Sequence, residues 1–138
     1  MTIEEKEKEL IADFSIYEDW MEKYEYIIEL GKDLPILKPE HKTKENIIVG
    51  CQSQVWLFAE KKGDKVIFTA EADAIIAKGI IALLVDVLSN QTPEAILNTE
   101  LNFIKEIGLQ EHLSPTRSNG LVAMVKQMKL YALALKNS

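Results

Sequence analysis

The sequence predicts an α+β fold: a small antiparallel sheet with helices packed on one face. Three observations predict it. The run "SQVWLFAEKKGDKVIFTAEAD" alternates apolar and polar residues on both sides of Gly63-Asp64, the pattern of two paired strands. The segments flanking it repeat apolar residues at helical spacing. Directly after it comes "AIIAKGIIALLVDVLSN", apolar on nearly every side, as a helix buried in the interior is. With 138 residues, 47% of them hydrophobic, one domain spanning 1–138 with its own core is expected.

The elements follow in chain order. "TIEEKEKELIADF" reads as a first helix with Ile3, Leu10, Ile11 and Phe14 toward a shared face. Ser15 to Glu18 has the spacing of a capping box. A second helix is therefore expected from there to about Leu30, with Tyr17, Trp20, Met21, Tyr24, Ile27 and Ile28 as a core-facing stripe and Gly31 as its terminator. "LPILKPEHKTKEN" carries two prolines and reads as a loop with a short turn. Residues 53–61 and 65–72 form the hairpin, and the buried helix comes next. In "TPEAIL" Thr92 caps and Pro93 opens a further helix, expected to continue through Thr99 to Ile107 and to stop at Gly108. "SPTRSNG" reads as a capping segment. After it, "LVAMVKQMKLYALAL" forms the last helix, with Leu121, Met124, Val125, Met128 and Leu135 on or near one face.

Charge and composition narrow the functions. A net charge of −6 argues against a nucleic-acid backbone or an anionic membrane as the main partner, and favours a basic patch on another protein. Lys78, Gly79 and Asp86 interrupt the longest apolar run, which is too short to span a bilayer. The charged start "MTIEEKEKEL" has no apolar core of a signal peptide, and a single cysteine forms no internal disulfide. A cytoplasmic location is expected.

That single cysteine, Cys51, lies in "NIIVGCQSQVW". Gly50 permits backbone angles closed to other residues, so "VGC" is expected to turn tightly with the thiol near its tip. A free cysteine is commonly a small buried hydrophobe. Here the flanks switch abruptly from "IIVG" to "QSQ", and turn residues are often accessible. Residue chemistry leaves the inert and the reactive readings both open. A reactive Cys51 has no resolving cysteine for disulfide exchange and no fellow thiolates for an iron–sulfur cluster. His41 and His112 lack the local pairing of a zinc site. A Cys–His hydrolase needs one of them brought to the thiol by folding. A non-catalytic interaction module is a further reading. A solitary thiol is best suited to accept a group, carry it and hand it on.

Four strings then stand in register: "WMEKYEYIIELGKDLP" (20–35), "GCQSQVW" (50–56), "EADAIIAKGI" (71–80) and "LSPTRSNGL" (113–121). Together they resemble the SufE family of sulfur-acceptor proteins over nearly the whole chain. The resemblance implies a curved antiparallel sheet packed with helices, related to the IscU-like scaffolds of cluster assembly. It implies that Cys51 takes persulfide sulfur from a cysteine desulfurase, a pyridoxal-phosphate enzyme that family members stimulate. The sulfur then passes to an iron–sulfur scaffold complex. The chain itself is expected to hold no cofactor or metal, and to be a monomer or weak homodimer.

The supporting residues have roles on this view. Gly50 shapes the turn. Gln52 and Gln54 offer hydrogen bonds to sulfur or to a partner. Asp73, otherwise a turn or N-cap residue, is implied to hold the Cys51 loop at rest. Arg117, otherwise a solvated arginine by the capping segment, becomes a cation near Cys51 or the partner surface. An apolar hollow is expected around the sulfur, walled by Val49, Val55, Trp56 and the helix after Ala74. Burial there without a charge partner would raise the thiol pKa. Gly79 and Gly120 read as packing positions.

Overall fold

The computed structural model describes residues 1–137. Helix α1 (Ile3–Ser15) and helix α2 (Trp20–Lys32) come first, followed by two short 3-10 turns at Pro39–His41 and Lys44–Asn46. Strands β1 (Val55–Lys62) and β2 (Lys65–Ala72) form the hairpin. Helices α3 (Ile75–Leu88), α4 (Pro93–Asn98) and α5 (Asn102–Glu106) follow, then a 3-10 turn at Gln110–His112 and the long α6 (Pro115–Lys136). The architecture is the α+β one expected, with a sheet of two antiparallel strands.

The hairpin pairs Val55 with Ala72 through to Lys62 with Lys65. Gly63, at φ +63°, takes the first position of the two-residue turn, where a side chain would be strained. Strand alternation sends Leu57, Ala59, Phe68 and Ala70 to one face, and all four are buried. The outer face of β1 is covered by the preceding loop. Ile47 bridges to Trp56, the His41 ring stacks 3.6 Å from Phe58, and Lys42 Nζ lies 4.6 Å from the Trp56 ring centre.

Helix α3 is the centre of the core: its residues Gly79 to Val85, with Val87 and Leu88, are buried. Burial of a full Leu or Ile side chain contributes ~1.5–3 kcal/mol, so this helix is held by its neighbours rather than by its own propensity. Helix α2 lies against it at unusually close range. A Cβ on Gly79 would stand 2.3 Å from the Ile27 carbonyl oxygen, and a Cβ on Gly31 3.0 Å from the Gly79 nitrogen. Gly31 therefore serves helix contact and does not terminate α2, which runs on to Lys32 with Asp33 as C-cap.

Other boundaries also differ from the expectation. Ser15 opens no helix; it ends α1, its hydroxyl donating to the Ala12 carbonyl at 2.6 Å. Asp19 caps α2 instead, accepting from the Glu22 N–H at 2.9 Å. The capping box stands at the start of α1, where Thr2 and Glu5 exchange side-chain-to-backbone bonds of 3.1 and 2.9 Å. With α2 starting four residues later, Tyr17 precedes it, Ile27 is its buried centre and Met21 is 71% exposed.

The segment after Thr99 does not continue one helix. Leu101 adopts φ +52°, and this strained backbone is fixed by burial of its side chain and by its N–H donating to Thr99 Oγ1 at 3.2 Å. Likewise "SPTRSNG" is not outside the last helix. Ser114 is the N-cap, accepting from the Arg117 N–H at 3.3 Å, and Pro115 is the first helical residue. Tyr131 ties α6 to the sheet, its hydroxyl 2.9 Å from both the Leu57 carbonyl and Asn46 Oδ1.

Candidate functional site

Cys51 sits on the short segment between the loop over β1 and the strand itself. Ile48 closes that loop, its N–H donating to the Val55 carbonyl at 2.8 Å. The chain then turns at Gly50, with φ +105°, a region L side chains rarely adopt. A Cβ here would also come within 3.1 Å of the Ala123 side chain, so the glycine lets the turn lie close on α6. The turn delivers the thiol to the first part of α6. Cys51 Sγ is 3.6 Å from the Gly120 carbonyl, a weak S–H···O contact.

Around the thiol is a hollow of about 160 Å³. Cys51, Gln52 and Ser53 form one side, Ile75, Ile76 and Ile80 of α3 a second, and Thr116, Arg117, Gly120 and Met124 of α6 a third. Cys51 itself is half-buried, and burial pushes its thiol pKa up. No charged group among the described residues pulls against that shift. The resting species is therefore the neutral thiol.

The base of the loop is pinned by one reciprocal pair. The Gln54 N–H donates to Asp73 Oδ1 at 3.0 Å, and the Asp73 N–H donates to the Gln54 carbonyl at 3.1 Å. Asp73 acts here as a loop fastener; the N-cap position of α3 belongs to Ala74 and has no side-chain cap.

The structure thus gathers Cys51, Gln52 and Arg117 around one hollow, with Gly50 and Asp73 shaping the loop. Gln54 contributes its backbone to the Asp73 pair and is not in the lining. The helix after Ala74 forms a wall as expected, but Val49, Val55 and Trp56 do not. Val49 is 89% exposed, while Val55 is buried and Trp56 lies under the loop that covers the outer face of β1. The missing walls come from α6. Gly120 matters beyond packing: a Cβ there would lie 3.6 Å from Cys51 Sγ. Thr116 and Met124 carry no local sequence signal, since only the crossing of α6 over the loop brings them in.

Neither histidine is at the thiol. His41 is stacked on Phe58. His112 stacks 4.1 Å from Trp20, its Nδ1 lies 2.9 Å from the Gly108 carbonyl, and its own carbonyl accepts from the Tyr24 hydroxyl. Among the described residues no helix is long and apolar enough to cross a membrane.

A family model described as SufE, the Fe-S metabolism associated domain, matches residues 8–132. The chain belongs to the SufE family. The matched span runs from α1 to the last turns of α6, so every wall of the Cys51 hollow lies inside the SufE domain. Membership places the chain in iron–sulfur metabolism. A solution structure of a hypothetical protein from Thermus thermophilus has the same fold, with a TM-score of 0.80 over 96% of this SufE chain and 97% of that one, at 23% sequence identity.

Proposed function

We propose that Cys51 accepts persulfide sulfur from a cysteine desulfurase, carries it, and delivers it to an iron–sulfur scaffold. The observation that carries this reading is the solitary thiol, half-buried at the wall of a hollow that has apolar side chains from α3 and room beside the sulfur.

The transfer balances without an outside oxidant or reductant. The donor is a persulfide anion on a cysteine of the desulfurase. The Cys51 sulfur attacks its outer sulfur, forming a new S–S bond as the donor's S–S bond breaks. The electron pair of the broken bond goes to the donor's cysteine sulfur, which takes up the proton that the Cys51 thiol gives up. Clearing the donor's persulfide frees it for another turnover, which is how the chain stimulates it. Delivery repeats the exchange with a thiolate of the scaffold.

The surrounding residues fit these steps. A thiol held neutral reacts slowly with stray electrophiles until docking changes its surroundings. Once loaded, the outer sulfur is an anion, and Gln52 and Arg117, both residues of the lining, carry N–H donors that could turn to it. A Cys–His hydrolase would need an imidazole at the thiol, and both rings are engaged elsewhere.

Intact mass after incubation with a cysteine desulfurase, pyridoxal phosphate and cysteine tests the proposal. The chain is expected to gain one or more sulfur atoms, and Cys51→Ser to gain none while keeping its melting temperature. An equal gain on the serine variant overturns the assignment.

A further inference from the structure

The Cys51 hollow has a charge character opposite to that of the chain. The sequence holds 22 acidic residues against 16 lysines and arginines, yet no carboxylate belongs to the hollow's lining. Arg117, which does, is the single arginine of the sequence, and among the described residues it makes no ion pair. Asp73, at the loop base, already accepts from the Gln54 N–H.

Two helices also begin at this hollow. Ala74 to Ala77, the N-cap and first turn of α3, all line it. Ala74 offers no side-chain cap, and among the described residues nothing accepts from the N–H groups of Ile75, Ile76 and Ala77. Thr116 and Arg117, from the first turn of α6, line it as well. Free N–H groups and aligned peptide dipoles favour an anion at such ends. Helix ends alone prescribe no ligand. Here they share one cavity with an unpaired guanidinium, the donors of Gln52 and Ser53, and a sulfur nucleophile.

We propose that this hollow takes a small sulfane-sulfur oxyanion of the thiosulfate kind as a second source of sulfur for Cys51. The two ends of such an anion match the two characters of the lining. Its outer sulfur is soft and suits the thiol and the side chains of Ile76 and Ile80. Its oxygens carry charge and suit a guanidinium fork and free amides. A cavity of about 160 Å³ admits an anion of this size, and a neutral or cationic donor gains nothing from Arg117.

The step balances within the two reactants. The Cys51 sulfur attacks the outer sulfur of thiosulfate, and a new S–S bond forms as the S–S bond of thiosulfate breaks. The electron pair of the broken bond leaves with the sulfonate part as sulfite, which takes up the proton that the Cys51 thiol gives up. The later use of that sulfur rests on the carrier reading; the preference of the hollow for an anion does not.

The test uses the reduced full chain and millimolar thiosulfate, with no desulfurase present. Intact mass is expected to show added sulfur on the wild type and none on Cys51→Ser, with an equal amount of sulfite released. Arg117→Gln is expected to load about tenfold more slowly, and Arg117→Lys to fall between. Arg117 is exposed, so both variants should keep the melting temperature. Lys105→Gln removes the same charge from outside the hollow and should load like the wild type. Alkylation reads the anion preference without any sulfur donor. Relative to an unstructured cysteine peptide, Cys51 should favour iodoacetate over iodoacetamide, against the repulsion of a chain with net charge −6. Arg117→Gln should lose that preference. Loading from a desulfurase but not from thiosulfate overturns this inference and leaves the carrier proposal standing; loading from thiosulfate alone does the reverse. Equal thiosulfate loading of Arg117→Gln, or no preference for iodoacetate, also overturns it.

Discussion

Two buried glycines of this fold, one on α3 and one on α6, do opposite things. At Gly79, α2 and α3 touch backbone to backbone, and the space for a methyl group is already taken by the Ile27 carbonyl. At Gly120, α6 faces the Cys51 loop, and a methyl group would find only ordinary contact with the thiol at 3.6 Å. One seam is closed to the limit of packing and the other is left slack. The α2–α3 seam fixes the frame, and the slack beside Gly120 is room next to the thiol. The proposed carrier role needs both, since its cargo adds an atom that must fit without moving the frame.

The same substitution at the two positions breaks or sharpens this contrast. Gly79→Ala has the largest expected effect. Alanine gains about 1 kcal/mol of helix propensity over glycine. The forced separation of α2 from α3 outweighs it, because a 2.3 Å contact with a carbonyl is relieved only by moving backbone. A net loss of about 2–3 kcal/mol is expected. For a chain of this size that is a drop of roughly 10 °C in melting temperature, read by circular dichroism or calorimetry. An unchanged melting temperature would show that the seam is as slack as the hollow.

How much of this was legible beforehand follows from where each signal resides. The hairpin was readable because its alternation and the Gly63-Asp64 turn are local, and the structure pairs Lys62 with Lys65 around that turn. The buried character of α3 was readable from composition alone. The starts of α2 and α6 were misread because two local patterns competed. Ser15 and Asp19 each have a glutamate three residues on, and the burial of Phe14 at the end of α1 leaves Asp19 to cap α2. "SPTRSNG" has a loop's composition, yet Ser114 and Pro115 are a cap and a first helical residue. The glycines show the deeper limit. Gly31 after a helical run looks like a terminator, and only its contact with Gly79 reveals a packing role. Cys51 was singled out by its solitude and its turn, and the hollow's α3 wall was anticipated. Thr116 and Met124 were not, because α6 lies more than sixty residues from the thiol in sequence.

The next largest effect concerns what keeps the slack side ordered. Asp73 holds the loop base through its carboxylate and Gln54. Asp73→Ala removes an exposed hydrogen bond to a charged acceptor, for about 1–1.5 kcal/mol. The loss should appear locally: alkylation of Cys51 by iodoacetamide should quicken several-fold, with a small fall in melting temperature. Asp73→Asn keeps an acceptor oxygen and should lie between the alanine variant and the wild type. Equal alkylation rates in all three would detach Asp73 from control of the loop.

A smaller effect lies in pH. Because burial raises the Cys51 pKa, its alkylation rate should climb with pH to a midpoint above that of an unstructured cysteine peptide. The sign for stability follows. The unfolded thiol loses its proton at lower pH than the folded one, so this group's contribution is intact below the unfolded pKa. It is lost as pH rises through the folded value. Asp73→Ala should bring the alkylation midpoint down toward the peptide value. A midpoint at or below the peptide's in the wild type would mean that a cation stabilises the thiolate, with Arg117 the first candidate.

Gly120→Ala has the smallest expected effect on stability and an opposite sign to Gly79→Ala. The added methyl finds contacts of 3.6 to 4.0 Å with Cys51, and the helix gains up to about 1 kcal/mol, so the melting temperature should hold or rise slightly. Its consequence belongs to loading. A persulfide places its outer sulfur about 2.05 Å beyond Sγ. The new methyl narrows the room available to that atom without disturbing the empty thiol. Sulfur loading by a desulfurase should therefore slow by a few fold while the alkylation midpoint stays where it was. If loading is unaffected, the outer sulfur lies toward Ile75 and Ile76 instead, and the slack at Gly120 serves only the fit of the loop.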